Sequence, residues 1–148
     1  MDNIKNKKAF FDYEILEKIE LGLILTGAEV KSVKLGHASL QGSYVQNIDG
    51  RLFLVGAHIP AYQPANQPID YDPLRPRPVL IKKKELKYFL GKIKERGLTI
   101  VPLRMYTKKG LVKLEAGLAK GKKKFDKREK IKKREDDRQI SRSLKNRE

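Results

Sequence analysis

From Lys120 onward the chain runs out of material for a core, which confines any compact fold to the residues before it. The 29 residues from Lys120 to Glu148 hold 14 Lys and Arg against 6 Asp and Glu, so they carry +8 of the formal +16. Their apolar residues are Phe125, Ile131, Ile140 and Leu144, too few and too far apart to line one helical stripe. No Gly or Pro follows Gly121. Asp126 with Lys130, and Glu129 with Lys133, stand acid first at the i,i+4 spacing, each pair adding only ~0.3 kcal/mol to a helix. Such a segment is disordered alone and becomes helical against a polyanion, whose phosphates offset the repulsion among its lysines. The division is therefore a body at 1–119, long enough for one core, and a tail at 120–148.

Across the whole chain, 34 basic residues against 18 acidic point to a polyanionic partner, with nucleic acid ahead of membrane. A membrane reading needs an apolar anchor, and no run approaches the roughly 18 apolar residues of a span. The N-terminal MDNIKNKKAFFDYE lacks the apolar core and cleavage site of a signal peptide. No Cys is present, so disulfides and thiolate metal sites are excluded and a cytoplasmic location is expected. His37 and His58 alone do not build a zinc site, and no metal or cofactor is expected.

Asn3 to Phe11 reads as a basic, loose start, followed by a long strand over Tyr13 to Leu25. Gly22 interrupts that strand and predicts a bulge or bend of the kind a small barrel needs to close. Thr26 and Glu29 form T-x-x-E, a capping box that opens a short helix ended by Gly36, with Ala28, Val30 and Val33 packing it on the body. Ser43 to Ile48 and Leu52 to Ala57 are strands joined through Asp49-Gly50-Arg51, a hairpin signal. His58 to Pro78 holds six of the seven prolines and reads as a long ordered loop, with Asp70-Tyr71-Asp72-Pro73 as turn material. In Lys82 to Arg96, Leu86, Phe89, Leu90 and Ile93 fall at i, i+3, i+4 and i+7, one apolar face on a basic helix stopped by Gly97. Thr99 to Tyr106 and Leu111 to Leu118 are strands joined by Lys108-Lys109-Gly110, and Pro102 predicts a bulge or an edge.

Five or six strands with two or three short helices make a mainly β chain. They predict a small closed barrel of OB type, an architecture that builds single-domain nucleic-acid binders. Nothing supports an enzyme: there is no Cys nucleophile, G-x-S-x-G, P-loop or H-E-x-x-H. A lone His58 before a proline loop is ordinarily structural. Asp70 with Asp72 reads as turn chemistry, and Asp136 with Asp137 as part of a solvated charged face.

The binding signal is the basic clusters at Lys7 and Lys8, at Arg75 and Arg77, and at Lys82 to Lys84, interleaved with Phe10, Phe11, Tyr62 and Tyr71. Cations beside aromatics can hold a phosphate backbone while stacking on unpaired bases. For any single lysine, solubility is the competing account. In the tail, Lys122 to Lys124 serve electrostatics of any kind, and Phe125 among them adds a stacking face.

Gly22 to Gly36, GLILTGAEVKSVKLG, resembles the signature G-[IL]-x-L-x-G-x-E-[VI]-K-S-[LIV]-[RK]-x-G of the small protein B family, the SsrA-binding proteins. The run GLAKGKKKFDKRE at Gly117 resembles that family's G-x-[AG]-K-G-K-K-x-[YH]-D-K-R. Weaker agreement, at NKKAFFDYEI, SYVQNIDGRLFL, DPLRPR, KKKEL and GLTIVPLRMY, extends over nearly the whole chain. The resemblance implies an OB-type barrel that binds the tRNA-like domain of transfer-messenger RNA and acts in trans-translation on stalled ribosomes. It also implies a tail that enters the empty mRNA channel at the small-subunit decoding centre and folds there as a helix, in a protein expected to be monomeric.

Carried over by motif, Glu20 in E-x-G and Leu80 after R-x-R match residues implicated in RNA binding. The RNA-contact candidates are Lys7, Lys8, Tyr13, Glu20, Glu29, Lys31, Arg75, Arg77, Leu80, Lys82 and Lys83. The ribosome-contact candidates are Lys122, Lys123, Lys124, Phe125, Asp126, Lys127, Arg128, Ile131 and Lys132. The chain departs from the family at Asp70-Tyr71-Asp72-Pro73, usually Asn-His-Asp-Pro, and at Arg77 to Lys82, usually R-K-L-L-L-H. Phe125 stands in a Tyr or His position. A basic-tailed ribosomal or assembly protein of OB type is the alternative.

Overall fold

The computed structural model describes residues 4–63 and 70–122. In chain order the elements are β1 (Ile4–Lys5), α1 (Lys7–Asp12), β2 (Tyr13–Leu23), α2 (Gly27–Lys34), β3 (Tyr44–Ile48), β4 (Arg51–Val55), β5 (Arg77–Leu80), α3 (Lys83–Arg96), β6 (Thr99–Lys108) and β7 (Leu111–Gly121). The strands form one seven-stranded antiparallel sheet in the order β1-β6-β7-β2-β5-β4-β3. Among the described residues no helix is long and apolar enough to cross a membrane.

Both hairpins form where two adjacent residues take positive φ, the backbone that matches the twist of the flanking strands. Asp49 (φ 51°) and Gly50 (φ 85°) join β3 to β4, with Ile48 opposite Arg51. Lys109 (φ 52°) and Gly110 (φ 77°) join β6 to β7, with Lys108 opposite Leu111. The Thr26 capping box is present in full: the Glu29 N–H donates to Thr26 Oγ1 at 3.2 Å, and the Thr26 N–H donates to Glu29 Oε1 at 3.0 Å. On α2, Val33 is buried as expected, but Glu29 and Ser32 are the other buried residues. The third helix buries Phe89, half-buries Leu86, Leu90 and Ile93, and stops at left-handed Gly97.

Several elements differ from the sequence reading. Residues 4–12 are not loose but form β1 and α1, a six-residue helix too short to stand by propensity. It is held by Asn6, whose Oδ1 accepts from the Ala9 N–H at 3.3 Å while its Nδ2 donates to Pro102 O at 2.9 Å. The proline loop yields β5, which accommodates Pro78 opposite Phe53 while its carbonyl accepts the Ile24 N–H at 3.0 Å. The bulge in β2 lies between Ile15 and Glu17 instead of at Gly22, whereas the bulge expected beside Pro102 is present between Pro102 and Arg104.

The OB-type sheet also does not close by pairing. β3 lies near β6 without a hydrogen-bonded ladder, because β1 and Asn6 have taken that edge: the Asn6 N–H donates to Leu103 O at 2.8 Å. Inside the curled sheet, Leu21, Leu40, Leu54, Ile59, Met105 and Leu114 form the centre of the core.

Candidate nucleic-acid interface

Gly22 is the pivot of the site. At this residue β2 is opposite Lys113 of β7 and Leu80 of β5 at once, where it passes from one partner to the other. A Cβ at position 22 would stand 3.0 Å from Leu80 Cβ, so glycine is what lets Leu80 close over the strand. Leu80 nevertheless remains 57% exposed. Around it an open depression of about 450 Å³ is lined by Glu20, Gly22, Leu80, Ile81, Lys82, Glu85 and Lys113. Three sequence candidates, Glu20, Leu80 and Lys82, thus share one hollow, and Lys83 follows at the first residue of α3. That helix has no capping side chain, and Lys82 to Lys84 place positive charge at the end where a helix favours negative charge. Glu85 is the acid of that first turn.

Glu29 and Arg77 lie inside the protein, and Arg75, about a third exposed, is tied to them. Arg77 donates through Nε and Nη2 to Glu29 Oε2 at 2.9 and 2.6 Å, and through Nη1 and Nη2 to Ala57 O and Pro73 O at 2.7 and 3.0 Å. Arg75 donates through Nε to Glu29 Oε2 at 3.1 Å and through Nη2 to Glu29 Oε1. Glu29 and Arg77 are buried and satisfied inside the protein, so their side chains face each other and are closed off from the surface. The physical reason is burial: once the capping carboxylate lies in the core it needs cations, and the proline loop delivers both. Burial would raise the Glu29 carboxyl, but the hydrogen bonds from Arg75, the Thr26 N–H and Arg77 outweigh it and hold it at about 2 against the usual 4.5. Tyr71 joins this cluster, donating to Ile59 O at 2.7 Å. The departure from Asn-His-Asp-Pro therefore supplies a hydroxyl that anchors the loop. Lys31 is exposed, with its Nζ 5.4 Å from the Tyr62 ring centre.

Lys7 and Lys8 are exposed on α1, and Tyr13 is half-buried opposite Gly121. Lys8 and Tyr13 line a second hollow together with Tyr44, on the side where β3 approaches β6. Lys122 is the last described residue. Its N–H donates to Asp12 O at 2.9 Å and its Nζ to Phe10 O at 3.2 Å, so it is tied to the body. Lys123, Lys124, Phe125, Asp126, Lys127, Arg128, Ile131 and Lys132 lie outside the described residues. His58 is exposed and pairs by its backbone with Ser39, a structural role.

The sequence reading missed Arg104, Tyr106, Lys108 and Lys113. Arg104, Tyr106 and Lys108 alternate with inward residues of β6, and Lys113 faces Tyr106 from β7. The signal was present as a period-two run of cations and one aromatic.

Fold and surface together define a small basic β protein of OB type with an open hollow around Leu80 lined by Lys82, Lys113, Glu20 and Glu85. The model of the "SmpB protein" family matches residues 3–146. The SsrA-binding protein of Sulfurihydrogenibium sp. (strain YO3AOP1) is 50% identical over 140 residues, covering 95% of this chain and 91% of that protein. The SsrA-binding protein of Trichormus variabilis is 45% identical over 141 residues, with 95% and 91% covered. A solved structure described as "tmRNA-SmpB: a journey to the center of the bacterial ribosome" matches with a TM-score of 0.67 and 41% identity, over 84% of this chain and 87% of that one. The chain belongs to the SmpB family.

Proposed function

We propose that this chain binds transfer-messenger RNA through its tRNA-like domain and delivers it to stalled ribosomes for trans-translation. The basic tail probes the empty mRNA channel near the small-subunit decoding centre. Family membership supports this reading, and the single observation that carries it on the molecule is the meeting of Glu20, Leu80 and Lys82 at the Gly22 pivot. An exposed leucine flanked by lysines offers an apolar contact to a base or sugar and charge to the adjoining phosphates. The chain recognises shape and charge and carries out no bond chemistry, peptidyl transfer belonging to the ribosome. It works in the cytoplasm as a monomer.

The test is binding of pure protein to an isolated tRNA-like domain and to ribosomal RNA fragments of equal length at one salt concentration. At least tenfold preference for the tRNA-like domain, ~1.4 kcal/mol, is expected. Equal affinities would return the chain to the basic-tailed ribosomal class, and cleavage of labelled RNA during the assay would make it an enzyme.

A further inference from the structure

Glu20 poses a problem for an RNA-facing surface. A carboxylate there repels phosphates, and in the β2–β7 register Glu20 stands directly opposite a second acid, Glu115, a pairing that is unfavourable unless both find cations. Both are partnered from β6. Arg104 Nη2 lies 3.2 Å from Glu115 Oε2. Across β7, the Tyr106 hydroxyl donates to Glu20 Oε2, and Lys108 Nζ lies 3.5 Å from Glu20 Oε1. The Arg104 guanidinium in turn rests 4.4 Å from the centre of the Tyr106 ring, a cation–π contact. Two acids therefore hold one tyrosine and two cations in a single connected array over the outer face of the sheet. Lys113 sits opposite Tyr106 and also lines the Leu80 hollow, so the array and the hollow are continuous.

We infer that Glu20 is a positioning residue and not itself an RNA contact: it holds Tyr106 by the hydroxyl, so that Arg104, Lys108 and Lys113 stand as a fixed row of cations for RNA phosphates beside Leu80. The inference rests on the reading that the body binds RNA, and it extends the candidate surface onto β6 and β7. The protonation pattern fits the geometry. Burial, then the hydrogen bond and charge of Glu20, push the Tyr106 phenol up to about 12, so it remains a donor. The same hydrogen bond, helped by Lys108, lowers the Glu20 carboxyl and keeps it the acceptor. Fixing the array before binding spares the ordering of long side chains at the moment of contact.

The test is a double-mutant cycle on affinity for the tRNA-like domain, using Glu20→Ala, Tyr106→Phe and both together. Tyr106→Phe keeps the ring and removes only the hydroxyl. Each single change is expected to weaken binding about three- to tenfold, the worth of one hydrogen bond, and the double change no more than the larger single one. Multiplying losses, or normal binding by Tyr106→Phe, would make Glu20 a direct contact and overturn the inference. Lys108→Ala and Lys113→Ala should each flatten the salt dependence by about one unit of log–log slope, and an unchanged slope would remove the cation row. Phenolate absorbance read without RNA gives an independent check. One tyrosine should titrate earlier in Glu20→Ala than in wild type, and an unchanged curve would show that Glu20 does not hold Tyr106. Wild-type protein without preference for the tRNA-like domain would overturn the proposed function itself. Intact wild-type binding with additive losses overturns only the positioning role.

Discussion

Arg77 and Glu29 form a buried pair, their side chains 0% and 1% exposed, that ties β5 to α2 across 48 positions of sequence. Removing Arg77 takes two donors from the buried Glu29 carboxylate, leaving it Arg75 and the Thr26 N–H, and removes the donor to Ala57 O, while Pro73 O keeps the Ile59 N–H. Arg77→Met should therefore cost about 3–5 kcal/mol in urea unfolding. A loss under about 1 kcal/mol would mean that the loop is held by other contacts. Because the two groups act on each other, Arg77→Met combined with Glu29→Gln should cost less than the sum of the single changes.

The same pair gives stability a pH dependence of defined sign. The Glu29 carboxyl is depressed in the folded protein to about 2 from an ordinary 4.5. Its contribution is complete above the unfolded value and is lost as pH falls from about 4.5 through 2, on the order of 3 kcal/mol in all. Unfolding free energies of wild type and Glu29→Gln, measured across that window, should show a shallower slope for the variant. Parallel slopes would assign the acid sensitivity to other carboxylates.

Gly22→Ala tests the pivot. The added methyl would meet Leu80 Cβ at 3.0 Å and Cδ1 at 3.3 Å, and overpacking of this kind costs about 1–3 kcal/mol. Leu80 must shift, so RNA affinity should fall along with stability. Adding Leu80→Ala removes the Cδ1 contact but keeps the Cβ at 3.0 Å, so it should restore stability only in part and should not restore affinity. Restored affinity would show that Leu80 is not part of the contact.

The body should bind RNA without the tail. Ala119, Lys120 and Gly121 pair with Ile15, Glu14 and Tyr13, so a clean truncation falls after Lys122 and not at the compositional boundary. Affinity for the tRNA-like domain should stay within about tenfold, ~1.4 kcal/mol. A larger loss would move the RNA site to the tail.

Ile131→Pro in the full chain probes the tail, since proline in a helix interior costs ~3 kcal/mol. It should leave RNA binding intact and abolish tagging of nascent chains on stalled ribosomes. Normal tagging would mean that the tail acts as an unstructured polycation.

The sequence alone determined those features whose causes lie within a few residues of each other. The Thr26–Glu29 box spans one helical turn, Asp49-Gly50 and Lys109-Gly110 satisfy the positive φ of their own turns, and the apolar face of α3 repeats at its own period. Glu20, Leu80 and Lys82, candidates drawn from separate stretches of sequence, line one hollow beside Gly22. Only the tertiary structure decided what these residues touch. Gly22 read as a bend, yet it is a glycine because Leu80, 58 positions later, must lie against it. Arg77 read as part of a basic cluster and Glu29 as a helix cap, both as candidates for RNA contact, yet the fold buries them together. β5 was hidden because Pro78, with Pro76 just before the strand, argues locally against one, and α1 because six residues cannot hold a helix without Asn6 reaching Pro102. Turns and caps are short-range energies written in neighbouring side chains. Burial, strand partners and the pairing of distant charges exist only once the chain has closed on itself.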